Sequence, residues 1–122
     1  MAKILVIDDE QNLRRLTQVN LEANKYEVIT ATTGTEGLKL AEQMHPDLVL
    51  LDIRMPDMSG WDVLMALKMN RKLKKIPVVI MSASPPYKDE QSLRNLRASG
   101  WLMKPFSVED LLQQVKQLLE ER

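Results

Sequence analysis

At 122 residues the chain is long enough to bury a core of its own and short enough that one domain is expected. Hydrophobic residues make up 44% and aromatic ones only 4%, which excludes disordered and fibrous classes and points to aliphatic packing. Seventeen basic residues balance seventeen acidic ones, so no net field draws the chain to nucleic acid or an anionic membrane, and with no cysteine and one histidine any metal would be held by oxygen.

In chain order, the first apolar run (Ile4, Leu5, Val6, Ile7) predicts a strand over Lys3–Asp8. It is too short for a signal-peptide core, and no later stretch approaches a membrane span, so a cytoplasmic location is expected. A helix follows from Gln11 to Ala23, anchored thinly by Leu13, Leu16 and Leu21. Tyr26–Ala31 is a weaker strand. Thr33-Gly34-Thr35-Glu36 reads as a capping box opening a helix through Leu38, Ala41 and Met44, which His45-Pro46 ends.

Leu48–Asp52 is a second strongly apolar strand. Ser59, with Asp62 three residues on, repeats the helix-start signal, and Ile76–Ser82 is a third apolar strand. Next come Ser84, Pro85 and Pro86, which pull against one another as a helix start. Leu93 and Leu96 are the clear anchors of a short fourth helix. Trp101–Lys104 is a weak fifth strand, and Ser107 opens an amphipathic helix through Val108, Leu111, Leu112, Val115, Leu118 and Leu119.

Strands apolar on both faces, alternating strictly with helices, predict an α/β doubly wound parallel sheet of five strands. The flavodoxin-like (βα)5 order 2-1-3-4-5 is expected, as a single domain over residues 1–122.

Ligands of such sheets bind beyond the carboxyl ends of the strands. There the sequence places Asp8 and Asp9, Asp52, Ser82 and Lys104, polar groups that close apolar strands. Carboxylates sharing one rim repel, so the site should raise a carboxyl pKa or hold a cation, and Mg²⁺ suits oxygen donors together with phosphate. A carboxylate beside such an ion can attack phosphorus, with lysine and hydroxyl groups steadying the transferred oxygens. Spacing alone leaves open which aspartate is the nucleophile.

Asp8-Asp9-Glu10, the run from Asp52 through Pro56 to Gly60, Ser82-Ala83 and Lys104-Pro105-Phe106 together resemble the receiver domains of bacterial two-component response regulators, the CheY-like family, over essentially the whole chain. The resemblance implies Asp52 as phosphoacceptor, Asp9 as a direct Mg²⁺ ligand, Asp8 as a ligand through water, and the Arg54 backbone carbonyl as a third protein contact. Ser82 and Lys104 would grip the phosphoryl oxygens, Ala83 would leave the acceptor open, and the Lys104–Pro105 bond would be cis. Trp101 stands at the switch aromatic position, where tyrosine or phenylalanine is more usual. Positions 54 and 84 would affect phosphoryl lifetime.

The expected activity is a signalling switch that catalyses its own phosphorylation and dephosphorylation. The donor would be a sensor histidine kinase or phosphotransfer protein. An output protein or attached domain would be engaged through the face of the fourth helix, fifth strand and fifth helix, by a monomer or a phosphorylation-dependent dimer. No direct nucleic-acid or membrane binding is expected. A phosphohydrolase acting through an aspartyl phosphate is disfavoured because Arg54 stands where haloacid-dehalogenase-type phosphatases need a second aspartate. A constitutive interaction domain is disfavoured by the complete set of acids, hydroxyl and lysine.

Other conspicuous residues have plain readings. Lys68, Arg71, Lys72, Lys74 and Lys75 fall between a helix and a strand, at the sheet's amino edge, as a solvated basic end. His45 is a surface imidazole without a role. Glu10 and Asp57 are solvated acids beside the site, and the eight methionines are flexible core filler, with Met55 and Met58 able to form an adaptable surface.

Overall fold

The computed structural model describes residues 1–83 and 98–120. Its elements follow the order β1 (Lys3–Ile7), α1 (Gln11–Ala23), β2 (Glu27–Ala31), α2 (Gly34–Met44), β3 (Leu48–Asp52), α3 (Gly60–Met69), β4 (Val78–Ser82), β5 (Gly100–Met103) and a last helix, Val108–Glu120. All strand pairings are parallel, in the order β2-β1-β3-β4-β5. This is the flavodoxin-like order expected from the alternation.

Because β1, β3 and β4 are continuously apolar over Ile4–Ile7, Leu48–Leu51 and Val78–Met81, both sheet faces must be covered. On one face Leu5, Ile7, Val49, Leu51, Val78 and Ile80 pack with α2 and α3 through Ala41, Val63, Leu64 and Leu67. On the other, Ile4, Val6, Leu48, Leu50, Val79 and Met81 meet Leu21 of α1 and Leu111 and Val115 of the last helix. The period-two alternation of each strand sorts these residues between the two cores. None of the described helices is long and apolar enough to cross a membrane.

The helix starts are set by the hydroxyls the sequence offers. Thr33 Oγ1 accepts from the Glu36 N–H at 3.1 Å, Ser59 Oγ from the Asp62 N–H at 3.2 Å, and Ser107 Oγ from the Asp110 N–H at 3.0 Å. The return bond of the Thr33 box lands one residue early, since Glu36 Oε1 accepts from the Thr32 N–H at 2.7 Å. His45 ends α2 in the left-handed region (φ 47°, ψ 65°), its N–H bonded to the Ala41 carbonyl at 3.0 Å.

Several expectations need correction. Leu16 does not anchor α1: it is 54% exposed, and Thr17 is buried in the helix that Leu21 anchors. Four-residue steps from Leu21 lead back through Thr17 to Leu13, which leaves Leu16 off the buried stripe. The fourth strand starts at Val78, because the Ile76 N–H closes a turn onto the Leu73 carbonyl and Pro77 has no N–H to offer. Of the methionines only Met81 is fully buried. Met55 and Met58 lean on the core, and Met1, Met44, Met65, Met69 and Met103 are exposed, so they are not core filler as a group. Lys68 is structural, its Nζ donating to the carbonyls of Lys74 (3.2 Å) and Ile76 (2.8 Å), while Arg71, Lys72, Lys74 and Lys75 are exposed as anticipated. The expected fourth helix, with Ser84, Pro85, Pro86, Leu93 and Leu96, lies outside the described residues.

Thr17 Oγ1 is buried with no hydrogen-bond partner among the described residues. Burying an unpaired hydroxyl is unfavourable, so Thr17→Val is expected to stabilise the protein by about 1 kcal/mol, read as a higher urea midpoint at unchanged slope.

Candidate functional site

The carboxyl edge of the sheet gathers the polar residues that close the strands. Asp8 directly follows β1 and Asp52 ends β3, and the register Ile7↔Leu51 brings them side by side. Ser82 ends β4, and Lys104 follows β5, its N–H bonded to the Ser82 carbonyl at 2.7 Å. The Lys104–Pro105 peptide is cis.

Three carboxylates converge here: one oxygen each of Asp8, Asp9 and Asp52 lie within 4.8 Å of one another. Lys104 Nζ stands 3.1 Å from Asp52 Oδ1 and 4.0 Å from Asp8 Oδ2. Asp9 is exposed, Asp52 nearly buried, and Asp8 wholly so. Asp8 is held from several sides. Its Oδ1 accepts from the Glu10 N–H at 3.0 Å, its N–H donates to the Ala31 carbonyl, and its carbonyl accepts from Arg14 Nη1 at 3.0 Å. Its Oδ2 has no hydrogen-bond partner among the described residues. Burial pushes the Asp8 carboxyl up to about 6, assisted by the charges of Asp52 and Asp9 and opposed by the Glu10 N–H and by Lys104.

One lysine cannot balance three carboxylates, and a buried carboxylate oxygen without a donor is costly unless a cation or its water completes it. An all-oxygen donor set suits a hard divalent ion. The residues therefore fit a metal such as the sequence leads one to expect. They border an open cleft of about 480 Å³ lined by Asp9, Asp52, Arg54, Ser82, Ala83 and Lys104.

Trp101 lies beside the cleft rather than in it. It pairs in register with Ile80, and the alternation of β4 puts Ser82 on that same sheet face. Its ring packs against Trp61, centroids 5.9 Å apart and planes tilted by 37°. Trp61 escaped the sequence reading because its link to Trp101 is tertiary, between the first turn of α3 and β5.

The loop from Ile53 to Ser59 is pinned at both ends, the Ile53 N–H bonding the Met81 carbonyl at 3.3 Å and the Gly60 N–H the Ile53 carbonyl at 2.8 Å. A Cβ on Gly60 would collide with the Asp52 carbonyl oxygen and Ile53 Cα, so only glycine lets α3 start so close to the acidic cluster. Asp57 in this loop is not the idle solvated acid expected. Its Oδ1 accepts from the Gly34 N–H at 3.0 Å, and its Oδ2 from the Thr35 N–H at 2.9 Å and Thr35 Oγ1 at 2.7 Å. These bonds, the Thr35 hydroxyl first, hold its carboxyl down at about 2. An acid in a loop facing a helix that opens on Gly34-Thr35 was the available signal, but nothing local links segments more than twenty residues apart.

The raised Asp8 carboxyl sets a pH dependence. The folded chain favours protonated Asp8 relative to the unfolded chain, so this group's contribution is complete below about pH 4 and is lost as pH rises through about 6. In chelator, Asp8→Asn is expected to flatten the fall in stability over that window by on the order of 2 kcal/mol, measured as urea midpoints at pH 4 and pH 7.

Comparison with known proteins agrees with this geometry. The signature of the response regulator receiver domain matches residues 4–116. The transcriptional regulatory protein KdpE of Mycobacterium tuberculosis is 38% identical over 116 residues, 95% of this chain and 50% of KdpE. The polar-differentiation response regulator DivK of Brucella ovis is 34% identical over 95% of this chain and 94% of its own length. The structure of chemotaxis protein CheY4 of Vibrio cholerae superposes with a TM-score of 0.90 at 32% identity, covering 97% of this chain and 98% of that one. The chain spans about half the length of the first curated relatives it matches. It belongs to the response regulator receiver domain family, and is a receiver domain of two-component signal transduction.

Proposed function

We propose that Asp52 accepts the phosphoryl group, with Mg²⁺ held by Asp9, Asp52 and the Arg54 carbonyl directly and by Asp8 through water. The observation that carries this reading is the convergence of three carboxylates on an open cleft with Lys104 Nζ 3.1 Å from Asp52 Oδ1. Bound Mg²⁺ would supply charge neutralisation between the carboxylates and the incoming phosphoryl oxygens. An Asp52 oxygen attacks phosphorus as the bond to the donor breaks, and the leaving group departs with the bonding electrons and takes up a proton. Lys104 then turns from Asp52 toward the transferred oxygens, and the Ser82 hydroxyl donates to them. Ala83 at the cleft's edge leaves room for the donor. The Asp8 oxygen not bonded to Glu10 suits water on the ion.

In this reading residues 1–122 are a single receiver domain, a cytoplasmic switch rather than an enzyme with a diffusible substrate. Its donor is a sensor histidine kinase or phosphotransfer protein. The face that carries β5 and the last helix engages the output, and the fourth helix expected to share in it lies outside the described residues. Relatives of both architectures support an output either on the same chain, as the length and name of KdpE suggest, or on a separate one, as the length of DivK suggests. Direct binding of nucleic acid or membrane by these residues is not part of the reading. The assembly is a monomer or a phosphorylation-dependent dimer.

Incubation with acetyl phosphate and Mg²⁺ is expected to add one phosphoryl mass to the native chain, and none to Asp52→Asn or in chelator. An Asp52→Asn chain labelled to the native extent overturns the assignment. Phosphorylation is also expected to draw Ser82 toward the phosphoryl group and turn Trp101 into the vacated space. In a Trp61→Phe chain, which isolates the Trp101 signal, its emission should shift on phosphorylation, and an unchanged spectrum counts against the movement.

A further inference from the structure

We propose that Asp57 is a positioning residue for the metal site, acting through the Ile53–Ser59 loop, which it latches to the N-terminus of α2; the inference rests on the reading of the acidic cluster as a Mg²⁺ site. The loop carries Arg54, whose carbonyl is the one main-chain ligand in that reading. A carbonyl ligand has no side chain to steer it, so its direction is set wholly by how the surrounding backbone is fixed.

The fixing is visible at three places. The two ends are pinned by the Ile53–Met81 and Gly60–Ile53 main-chain bonds, while the middle is irregular and includes Pro56, which cannot donate. The middle is held by Asp57, three residues from Arg54, whose carboxylate takes three bonds of 2.7–3.0 Å from Gly34 and Thr35. Two of those donors are N–H groups of the first turn of α2, which have no partner within the helix, the third is the Thr35 hydroxyl, and the helix dipole there favours an anion. The neighbouring residue locks the same joint sterically. Gly34 is buried under Met58, and a Cβ on Gly34 would run into Met58 Cγ and Sδ and Val63 Cγ2.

Asp57 thus fills the anion position of α2 from another element, and the bond is between the metal-site loop and a helix that contributes no ligand. This explains why the loop needs an acid with no part in the chemistry. Thr33 supplies a control within the same helix end: its hydroxyl caps the Glu36 N–H, a bond made within α2.

The test uses the whole chain and Mn²⁺ as a hard divalent probe, with free Mn²⁺ read by its electron paramagnetic resonance signal, and native folding checked by circular dichroism. Asp57→Ala is expected to weaken Mn²⁺ binding about tenfold or more, the scale seen when groups that orient metal ligands are removed. Asp57→Asn, which retains one acceptor oxygen, should fall between, and Thr33→Ala should bind as the native chain does. Native affinity in Asp57→Ala overturns the proposal, as does equal weakening in Thr33→Ala, which would mark a loss of helix stability only. If Asp57→Ala does not fold, Asp57→Asn and Thr35→Val carry the comparison, and native affinity in both overturns it. A native chain that takes up no Mn²⁺ removes the metal-site reading itself, and this inference with it.

Discussion

Three carboxylates forced together at one end of a parallel sheet are the constraint around which this molecule is arranged. Asp8 and Asp52 cannot separate, because they sit one step beyond a β1–β3 register fixed by Ile4↔Leu48 through Ile7↔Leu51, and a slip of one residue would turn every core side chain over. The hydrophobic core thereby holds an unfavourable electrostatic arrangement in place. Lys104 relieves it in part from the far side, where its own N–H is bonded to the Ser82 carbonyl. The remaining deficit of positive charge is what a cation held in the cleft would make good.

The two sheet faces divide the labour. The face toward α1 and the last helix is aliphatic around one enclosed methionine, Met81, with Leu21, Leu111 and Val115 fully or almost fully buried. The face toward α2 and α3 carries the less regular contacts: Met55, Met58, Trp61 and Trp101 lean against the core without being fully enclosed. Flexible thioethers and a tilted indole pair tolerate repacking better than interlocked branched side chains. Of the two faces, this one is therefore the better able to accommodate repacking.

Much of this could be read in the sequence because the signals were local. Unbroken aliphatic runs reveal strands buried on both sides, and Thr33, Ser59 and Ser107 mark helix starts with the hydrogen bonds observed. The site residues were legible because each polar group stands out at the end of an apolar strand. What stayed hidden depends on partners far along the chain. Asp57 gains its task only where α2 presents Gly34 and Thr35. Leu16 and Thr17 exchange roles because the neighbouring elements set which stripe of α1 faces inward. Asp8 and Asp9 are adjacent and chemically alike, yet the pleat sends one into the core and the other to solvent.

The strand order also has a consequence for the order of assembly. In a chain made from its N-terminus, β1 emerges first, yet it is an interior strand whose neighbours lie about 24 and 44 residues further on, with Lys3 opposite Glu27 and Ile4 opposite Leu48. Asp8, Asp9 and Asp52 are already brought together when β3 docks. Their counter-charge, Lys104, arrives only with the strand added at the opposite edge. The three acids would thus come together before Lys104 reaches them, so that the closing strand would be drawn in by charge as well as by apolar contact.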